Sequence, residues 1–178
     1  MTTHYRNQML IFASVSLGMA ALDQITKQVV VASIPPGGSV EIVPGLVNMV
    51  HTMNPGAAFG FLAGYESDYR WWFFVGVSAV VVTALLLMTA ASPGLNRLLL
   101  IGYACFMGGA VGNLIDRIRF GAVVDFMDVY WGALHWPAFN VADSALCVGT
   151  GLFLLCMVTG RGTQRDPLEG AQIDLQRR

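Results

Sequence analysis

The sequence predicts an all-α membrane protein with four transmembrane helices and a small extramembrane β element on its outer face. Of its 178 residues, 55% are hydrophobic and 12% are charged, whereas about 25% of the residues of a soluble domain are charged. Four apolar stretches also approach the roughly 20 residues that a helix needs to cross a bilayer. The formal net charge of −1 excludes a strongly basic nucleic-acid-binding protein, so no nucleic-acid partner is expected.

The four predicted spans belong to a single membrane-embedded domain, residues 1–160, which a polar tail, residues 161–178, follows. The first span is longer than the apolar part of a cleavable signal peptide, so we expect it to remain in the protein. The third contains Gly108 and Gly112, a GxxxG pair that lets helices approach closely in lipid. The predicted ranges are residues 9–31, 71–90, 98–118 and 141–158.

Residues 32–70, between the first two spans, are predicted to form the outer β element. Pro35-Pro36-Gly37-Gly38 ends the first helix, and two short apolar runs, residues 40–43 and 46–53, are predicted strands. The small, glycine-rich run Asn54–Gly60 suits the close approach of a backbone or a ligand. Because glycines can change backbone torsions at low steric cost, we expect the element to close over a site as a lid.

The distribution of basic residues predicts the orientation of the chain. Arginine is in excess on the side that carries both termini and the turn after the second span, which the positive-inside rule assigns to the cytoplasm. The outer element and a loop at residues 120–139 then face outward together. Aromatic residues agree with this orientation, because they would form a belt at the outer interface. They are Tyr69, Trp71, Trp72, Tyr130, Trp131, Trp136 and Phe139.

Polar residues concentrate between Gly108 and Ser144, in a stretch flanked by segments that are predicted to be buried in the membrane. Asp125 and Asp143 flank its loop, and a helical hairpin would bring both to the same depth. Two neighbouring carboxyl groups share one proton, so one can take a proton from water while the other gives one to the substrate. This pattern predicts peptide hydrolysis without a metal ion. A proton or cation transporter would show the same acids, and Asp143 would also suit a helix N-cap.

Other polar residues of the spans have both structural and functional interpretations. Asp23 and Lys27, four positions apart, share a helix face. They predict either a local ion pair near the membrane surface or a role at the site. Asn113, Asp116 and Arg117 share a face of the third helix. We expect Asp116 to join helices through Arg117 or Asn113, and Arg117 to face a ligand.

Two asparagines are candidates for holding a peptide carbonyl or orienting a carboxylate, because an amide both donates and accepts hydrogen bonds. For Asn54 the alternative is an Asx turn before Pro55, and for Asn140 it is turn chemistry beside the fourth helix. Asp128 is predicted to be a solvated loop residue. The cysteines and histidines show no spacing typical of a metal site, so no metal and no cofactor are expected.

Five motifs, in order along residues 23–144, carry a resemblance to the lipoprotein signal peptidase (signal peptidase II) family. The sequence shows no departure at the motif positions, and the tail after Arg161 lies outside them. The matching stretches are Asp23–Lys27 (DQITK), Asn54–Gly60 (NPGAAFG), Gly108–Arg117 (GGAVGNLIDR), Val123–Phe126 (VVDF) and Phe139–Ser144 (FNVADS).

The resemblance implies a multi-pass aspartic endopeptidase of the bacterial inner membrane, with its active site near the outer face. Its substrates would be diacylglyceryl-modified prolipoproteins, cut just before the lipidated cysteine to release the signal peptide. The implied catalytic pair is Asp125 and Asp143. Membrane lipids and the cyclic peptide antibiotic globomycin are further expected partners, and we expect a monomer. The remaining candidate residues are a substrate- or inhibitor-binding group, Asn54, Gly56, Asn113, Arg117 and Asn140, and a supporting group, Asp23, Lys27 and Asp116.

Overall fold

The computed structural model describes residues 3–56 and 67–160, in which four long helices are joined to one small sheet. The helices are α1 (Thr3–Ser33), α2 (Ser67–Ala91), α3 (Arg97–Phe120) and α4 (Val141–Val158). All four are long and apolar enough to cross a membrane, so the predicted fold class is confirmed. α1 and α2 both begin earlier in the chain than the spans predicted for them. The predicted tail, residues 161–178, lies outside the described residues.

A four-stranded antiparallel sheet lies at the end of the bundle where α1 ends and α4 begins. Its strands, in their order across the sheet, are β1 (Ser39–Val43), β2 (Val47–Asn54), β3 (Val123–Trp131) and β4 (Leu134–His135). β1 and β2 confirm the two predicted strands. The prediction of a loop at residues 120–139 is wrong, because β3 and β4 occupy much of it. β3 pairs with a strand far earlier in the chain, so no short hairpin signal marks its main partner.

The pairing of β2 with β3 holds most of the outer element in place. The two strands are joined along their length, with Asn54 opposite Val123 at one end. Residues 39–54 therefore belong to one sheet with β3, and closure of this element over a site stays a prediction. The rest of the glycine-rich run, residues 57–60, lies outside the residues that the structure describes.

α3 is the central helix, because it packs against all three other helices. Its glycines make this possible: a Cβ on Gly108 would lie 2.6 Å from the Cβ of Met19, and one on Gly112 would lie 2.5 Å from a carboxylate oxygen of Asp23. Both distances are shorter than side-chain contacts allow, so the backbones of α1 and α3 approach closely only because these positions have no side chain. The prediction from the GxxxG pair is confirmed.

The opposite end of the bundle is held by Gln8 of α1, a buried residue that the sequence analysis did not single out. Its Nε2 donates to the carbonyl oxygens of Thr89 and Ser92 at 3.2 and 2.9 Å, and its Oε1 accepts from the N–H of Gly94 at 2.8 Å. One side chain thereby satisfies the polar backbone of the turn between α2 and α3. A polar residue near the start of a span carries no signal of such a distant partner.

Candidate active site

Asp125 of β3 and Asp143 of α4 are brought together through Asn140. The Nδ2 of Asn140 donates to Oδ1 of Asp125 at 2.8 Å, and its backbone N–H donates to Oδ2 of Asp143 at 3.2 Å. The Oδ1 of Asn140 in turn accepts from the backbone N–H of Asp143 at 2.9 Å. Asn140 is thus the N-cap of α4 in a capping box, with Asp143 at the third helical position. The alternative N-cap role foreseen for Asp143 belongs to Asn140.

Each carboxylate has a second amide partner from another element. Asn54, at the end of β2, donates from Nδ2 to Oδ2 of Asp125 at 2.9 Å, and Asn113 of α3 donates from Nδ2 to Oδ1 of Asp143 at 2.8 Å. The Oδ1 of Asn54 accepts from the N–H of Gly56 at 2.9 Å. The Asx turn and the contact with a candidate catalytic residue, which were alternatives for Asn54, therefore occur together in one side chain.

Asp125 is 2% exposed, and its surroundings favour the protonated form. Burial raises its pKa to about 6, and the nearby charge of Asp143 acts in the same direction. The hydrogen bonds from Asn54 and Asn140 oppose this rise, because they stabilise the ionised carboxylate. Since the pKa is raised, Asp125 keeps its proton as the pH rises until about 6.

Lys27 is the centre of a buried polar cluster behind this pair. Its Nζ lies 2.8 Å from Oδ2 of Asp23 and 2.8 Å from Oδ2 of Asp116, and it donates to Oδ1 of Asn113 at 2.9 Å. The three ammonium donors are therefore all used. The predicted Asp23–Lys27 ion pair is present, but it is buried inside the bundle and extends to α3. Through Asn113 the cluster also reaches Asp143.

Asp116 joins helices as expected, but through partners other than those predicted. Instead of Asn113 or Arg117, its carboxylate contacts Lys27, Nε2 of Gln24 at 2.9 Å and the backbone N–H of Val124 at 3.1 Å. The direct partners are set by the packing of α1 against α3, which spacing along α3 alone does not show. Gln24 had not been singled out, although it lies between Asp23 and Lys27 in the sequence.

The guanidinium of Arg117 lies at the mouth of a cavity of about 270 Å³ between α2, α3 and α4. Its Nη1 donates to the carbonyl oxygen of Asn113 at 3.3 Å, and its Cζ lies 5.2 Å from the ring centre of Phe74. Asn113 and Asp143 line the same cavity. Apart from Ser78, the other lining residues are apolar. The cavity therefore combines polar site residues at one end with an apolar body.

Gly56 contacts the same region from the sheet side. Its φ is +92°, and a Cβ at this position would lie within 3 Å of the ring of Phe74. Only glycine fits both the torsion and the space. Gly56 thus packs against Phe74, which lines the cavity, and its role in binding stays a prediction. The indole of Trp71, which the sequence analysis assigned to the outer belt, donates to the carbonyl oxygen of Arg117 at 2.6 Å.

Asp128 was predicted to be a solvated loop residue, and this prediction is wrong. It is buried rather than solvated. Its carboxylate accepts from Nδ2 of Asn48 at 2.9 Å and lies 2.9 Å from Nδ1 of His135. These partners belong to the sheet, so Asp128 is separate from the Asp125–Asp143 pair. Among residues 3–56 and 67–160, no group of three or more His, Cys, Asp or Glu residues could hold a metal ion.

Comparisons with known proteins agree on one family. A family model described as "Signal peptidase (SPase) II" matches residues 15–159. The "Lipoprotein signal peptidase" of Desulforapulum autotrophicum is 47% identical over 140 residues, which cover 79% of this chain and 86% of the relative. That of Geobacter sulfurreducens is 43% identical over 148 residues, covering 83% and 91%. A solved structure titled "Bacterial membrane enzyme structure by the in meso method at 2.3 A resolution" matches with a TM-score of 0.73 at 29% identity, covering 84% of this chain and 88% of the other.

Proposed function

The chain belongs to the signal peptidase II family, and on this premise we propose that it is an aspartic endopeptidase in which Asp125 and Asp143 activate water. The coarser activity follows from the family: the protein is a multi-pass bacterial membrane peptidase that removes signal peptides from prolipoproteins. The proposal adds the catalytic type, the residues and the bond that is cut.

The single observation that carries the proposal is the bridge that Asn140 makes between Asp125 and Asp143. One residue donates to both carboxyl groups, and Asn54 and Asn113 donate to the remaining oxygens. Each carboxyl group is thus held in one orientation before a substrate arrives. Preorganised groups of this kind lower the free energy of a transition state without having to reorganise during the reaction.

In the proposed reaction, a water molecule between the two acids attacks the carbonyl carbon of the scissile peptide. Asp143 accepts a proton from the water as the new carbon–oxygen bond forms, and Asp125 gives its proton to the carbonyl oxygen. The resulting gem-diol then collapses: the carbon–nitrogen bond breaks, the leaving amine takes the proton from Asp143, and a hydroxyl proton returns to Asp125. The raised pKa of Asp125, about 6, supports its role as the acid.

The proposed substrate is a diacylglyceryl-modified prolipoprotein, cut just before the lipidated cysteine. Among the residues that the structure describes, the guanidinium of Arg117 makes a single hydrogen bond, so most of its donors remain available for a peptide carbonyl. Gly56 packs against Phe74, which lines the same cavity. Because the cavity lies between membrane-spanning helices, lipid and lipidated peptide can enter it sideways. Globomycin should occupy this cavity and inhibit cleavage.

We further propose that one chain is the active unit, because a single chain supplies every residue of the proposed site. Lys27, Asp23 and Asp116 serve it indirectly, by holding Asn113 from behind. The chain would lie in the inner membrane with its site near the outer face. The specific activity of the purified enzyme, the rate per amount of protein, should not change on dilution. A fall in specific activity on dilution, as a dissociating active dimer would show, would contradict the monomer.

The test of the mechanism compares three asparagine variants in a cleavage assay with a lipidated precursor. Asp125→Asn and Asp143→Asn should each insert into membranes but lose activity by at least about 10²–10⁴-fold, because general acid–base catalysis supplies rate factors of this size. Asp128→Asn is the matched control, since Asp128 lies on the same strand as Asp125 but contacts only the sheet. It should retain most of the activity.

A second arm of the same assay tests for a metal ion. EDTA should leave the wild-type rate unchanged, because the two acids are sufficient to activate water. The mechanism is wrong if either dyad variant turns over normally, or if EDTA abolishes activity and one metal ion restores it.

A further inference from the structure

A second, mainly apolar cavity of about 240 Å³ lies between the same three helices. It is lined by Leu85 and Met88 of α2, Phe106 of α3, and Thr150 and Phe153 of α4, among others. Phe106 also lines the outer cavity that contains Arg117 and Asp143. The two cavities are therefore in series, with the Phe106 side chain between them.

The spacing of residues along α2 and α3 shows that the two cavities follow one groove. Phe74, Val77, Val81, Leu85 and Met88, which line them, recur every three or four residues. They form one stripe along α2. On α3 the lining runs from Asn113, which contacts Asp143, eleven residues back to Gly102, which corresponds to about 16 Å at 1.5 Å per residue. The groove thus begins at the candidate dyad and is about half as long as the hydrocarbon core of a bilayer is thick, which is roughly 30 Å.

The floor of the groove is a close contact between α3 and α4. A Cβ on Gly149 would lie 2.7 Å from the carbonyl oxygen of Gly102 and 3.0 Å from the Cβ of Phe106. The absence of side chains at Gly102 and Gly149 both allows this contact and leaves the space beneath Phe106. Thr150 and Tyr103 are the polar side chains that line this end, and the hydroxyl of Thr150 donates to the carbonyl oxygen of Leu146 at 2.8 Å.

The size of the inner cavity decides what can occupy it. An α-helix with side chains is about 10 Å wide, so one turn fills roughly 400 Å³, more than the whole inner cavity of about 240 Å³. The inner cavity therefore cannot enclose one turn of the signal-peptide helix. A single hydrocarbon chain is thin enough. The scissile bond at Asp143 adjoins a cysteine that carries acyl chains, so one chain is tethered at the groove's mouth.

We propose that this groove is an acyl-chain subsite, in which one chain of the diacylglyceryl group passes Phe106 and ends in the inner cavity. The inference rests on the proposed function and adds a determinant of chain-length preference. Moving a chain from lipid to this groove gains no hydrophobic free energy, because lipid is equally apolar. The gain comes from packing contacts alone. We therefore expect a several-fold preference among chains rather than an absolute requirement.

The test fills the inner cavity and measures how cleavage depends on chain length. Thr150→Phe on α4 and Leu85→Trp on α2 each place an aromatic ring in the cavity. Val148→Phe and Leu87→Trp are the matched controls, because they add the same rings on the same helices at exposed positions that line neither cavity. The full-length protein in phospholipid vesicles receives lipopeptides with two palmitoyl or two octanoyl chains.

The measured quantity is the ratio of kcat/KM for the palmitoyl and octanoyl substrates. In the filled variants the ratio should fall by about threefold or more, because the longer chain loses its packing contacts. The kcat/KM for the octanoyl substrate should stay near the wild-type value. The controls should keep the wild-type ratio. The same ratio in filled and control variants would overturn the subsite. An equal loss on both substrates would also overturn it, since the cavity would then serve helix packing alone. A wild-type protein that cleaves neither lipopeptide would overturn the proposed function and the subsite together.

Discussion

At the scale of single residues, the asparagines each perform two tasks with the two ends of one amide. The oxygen of Asn54 accepts from the backbone of Gly56, and that of Asn140 accepts from the backbone of Asp143. Since a backbone N–H can only donate, the amide oxygen must face it and the NH₂ group must face the carboxylate. Local turn and cap geometry therefore directs both NH₂ groups toward the carboxylate of Asp125.

This arrangement makes a prediction about the pH dependence of cleavage. The pKa of Asp125 is about 6, so kcat/KM should fall as the pH rises through this value and the acid loses its proton. Asn54→Ala removes a hydrogen bond that stabilises the ionised form, which raises the pKa further. In a plot of kcat/KM against pH, the high-pH limb should then move to higher pH, and the rate should fall overall.

The control for this measurement is Thr52→Ala. Thr52 lies opposite Asp125 in the sheet, but its side chain is exposed and is not among the hydrogen-bond donors to the carboxylate. The limb should remain at the wild-type pH in this variant. A limb that stays in place, or moves to lower pH, in Asn54→Ala would contradict the assignment of Asp125 as the acid.

At the scale of elements, α3 determines how closely the polar residues of α1, α3 and α4 approach one another. Its glycines remove the side chains that would separate it from α1 on one face and from α4 on the other. A Cβ on Gly112 would collide with the carboxylate of Asp23, and one on Gly109 would lie 2.5 Å from the carbonyl oxygen of Ala142. Lys27 contacts Asp23 of α1 and Asp116 of α3. The ion cluster can therefore form only when the two helices lie this close together.

The prediction at this scale compares two glycine-to-alanine changes in helices. Gly112→Ala should lower the free energy of unfolding of the detergent-solubilised protein by about 1–3 kcal/mol, as overpacking does, and so lower its melting temperature. It should also slow cleavage, because it displaces Asp23 and Lys27. Gly76→Ala on α2, where nothing lies within 4 Å of the added Cβ, should be neutral or stabilising by up to about 1 kcal/mol. Equal melting temperatures for the two variants would show that the α1–α3 contact is looser than described.

At the scale of the whole molecule, polar groups are gathered at the two ends of the helical bundle. The sheet, the two acids and the buried cluster lie at one end, and the Gln8 contacts hold the turn between α2 and α3 at the other. The apolar cavities lie between them. This division is what a membrane requires, because buried polar groups in the hydrocarbon layer must be satisfied inside the protein.

The proposed orientation can be checked with a thiol reagent that does not cross membranes. In right-side-out vesicles, and with the three native cysteines replaced by alanine, Trp131→Cys at the tip of β3 should be labelled. Pro93→Cys, in the turn at the other end, should react only after the vesicles are opened. Labelling of Pro93→Cys in sealed vesicles would place the site on the cytoplasmic side instead.

Much of the fold and of the candidate site could be predicted from the sequence, and the errors have a common cause. The spans depend on local composition. Asp125 and Asp143 were identified because ionisable groups are costly between apolar helices and therefore indicate a functional site. The predictions for Asp128, the partners of Asp116 and the loop at residues 120–139 were wrong. Each depends on pairing with a segment that lies far away in the chain.

The sequence by itself determined the four helices, the first two strands and the residue types available for chemistry, because apolar runs, prolines and glycines act on their immediate neighbours. Only the tertiary structure decided which polar groups meet. Asn54 contacts Asp125 across 71 positions of the chain, and Lys27 contacts Asn113 across 86. Such contacts follow from the pairing of β2 with β3 and from the glycine face of α3. The position of the apolar groove beside the two acids was decided in the same way, since three helices that are separate in the sequence form its walls.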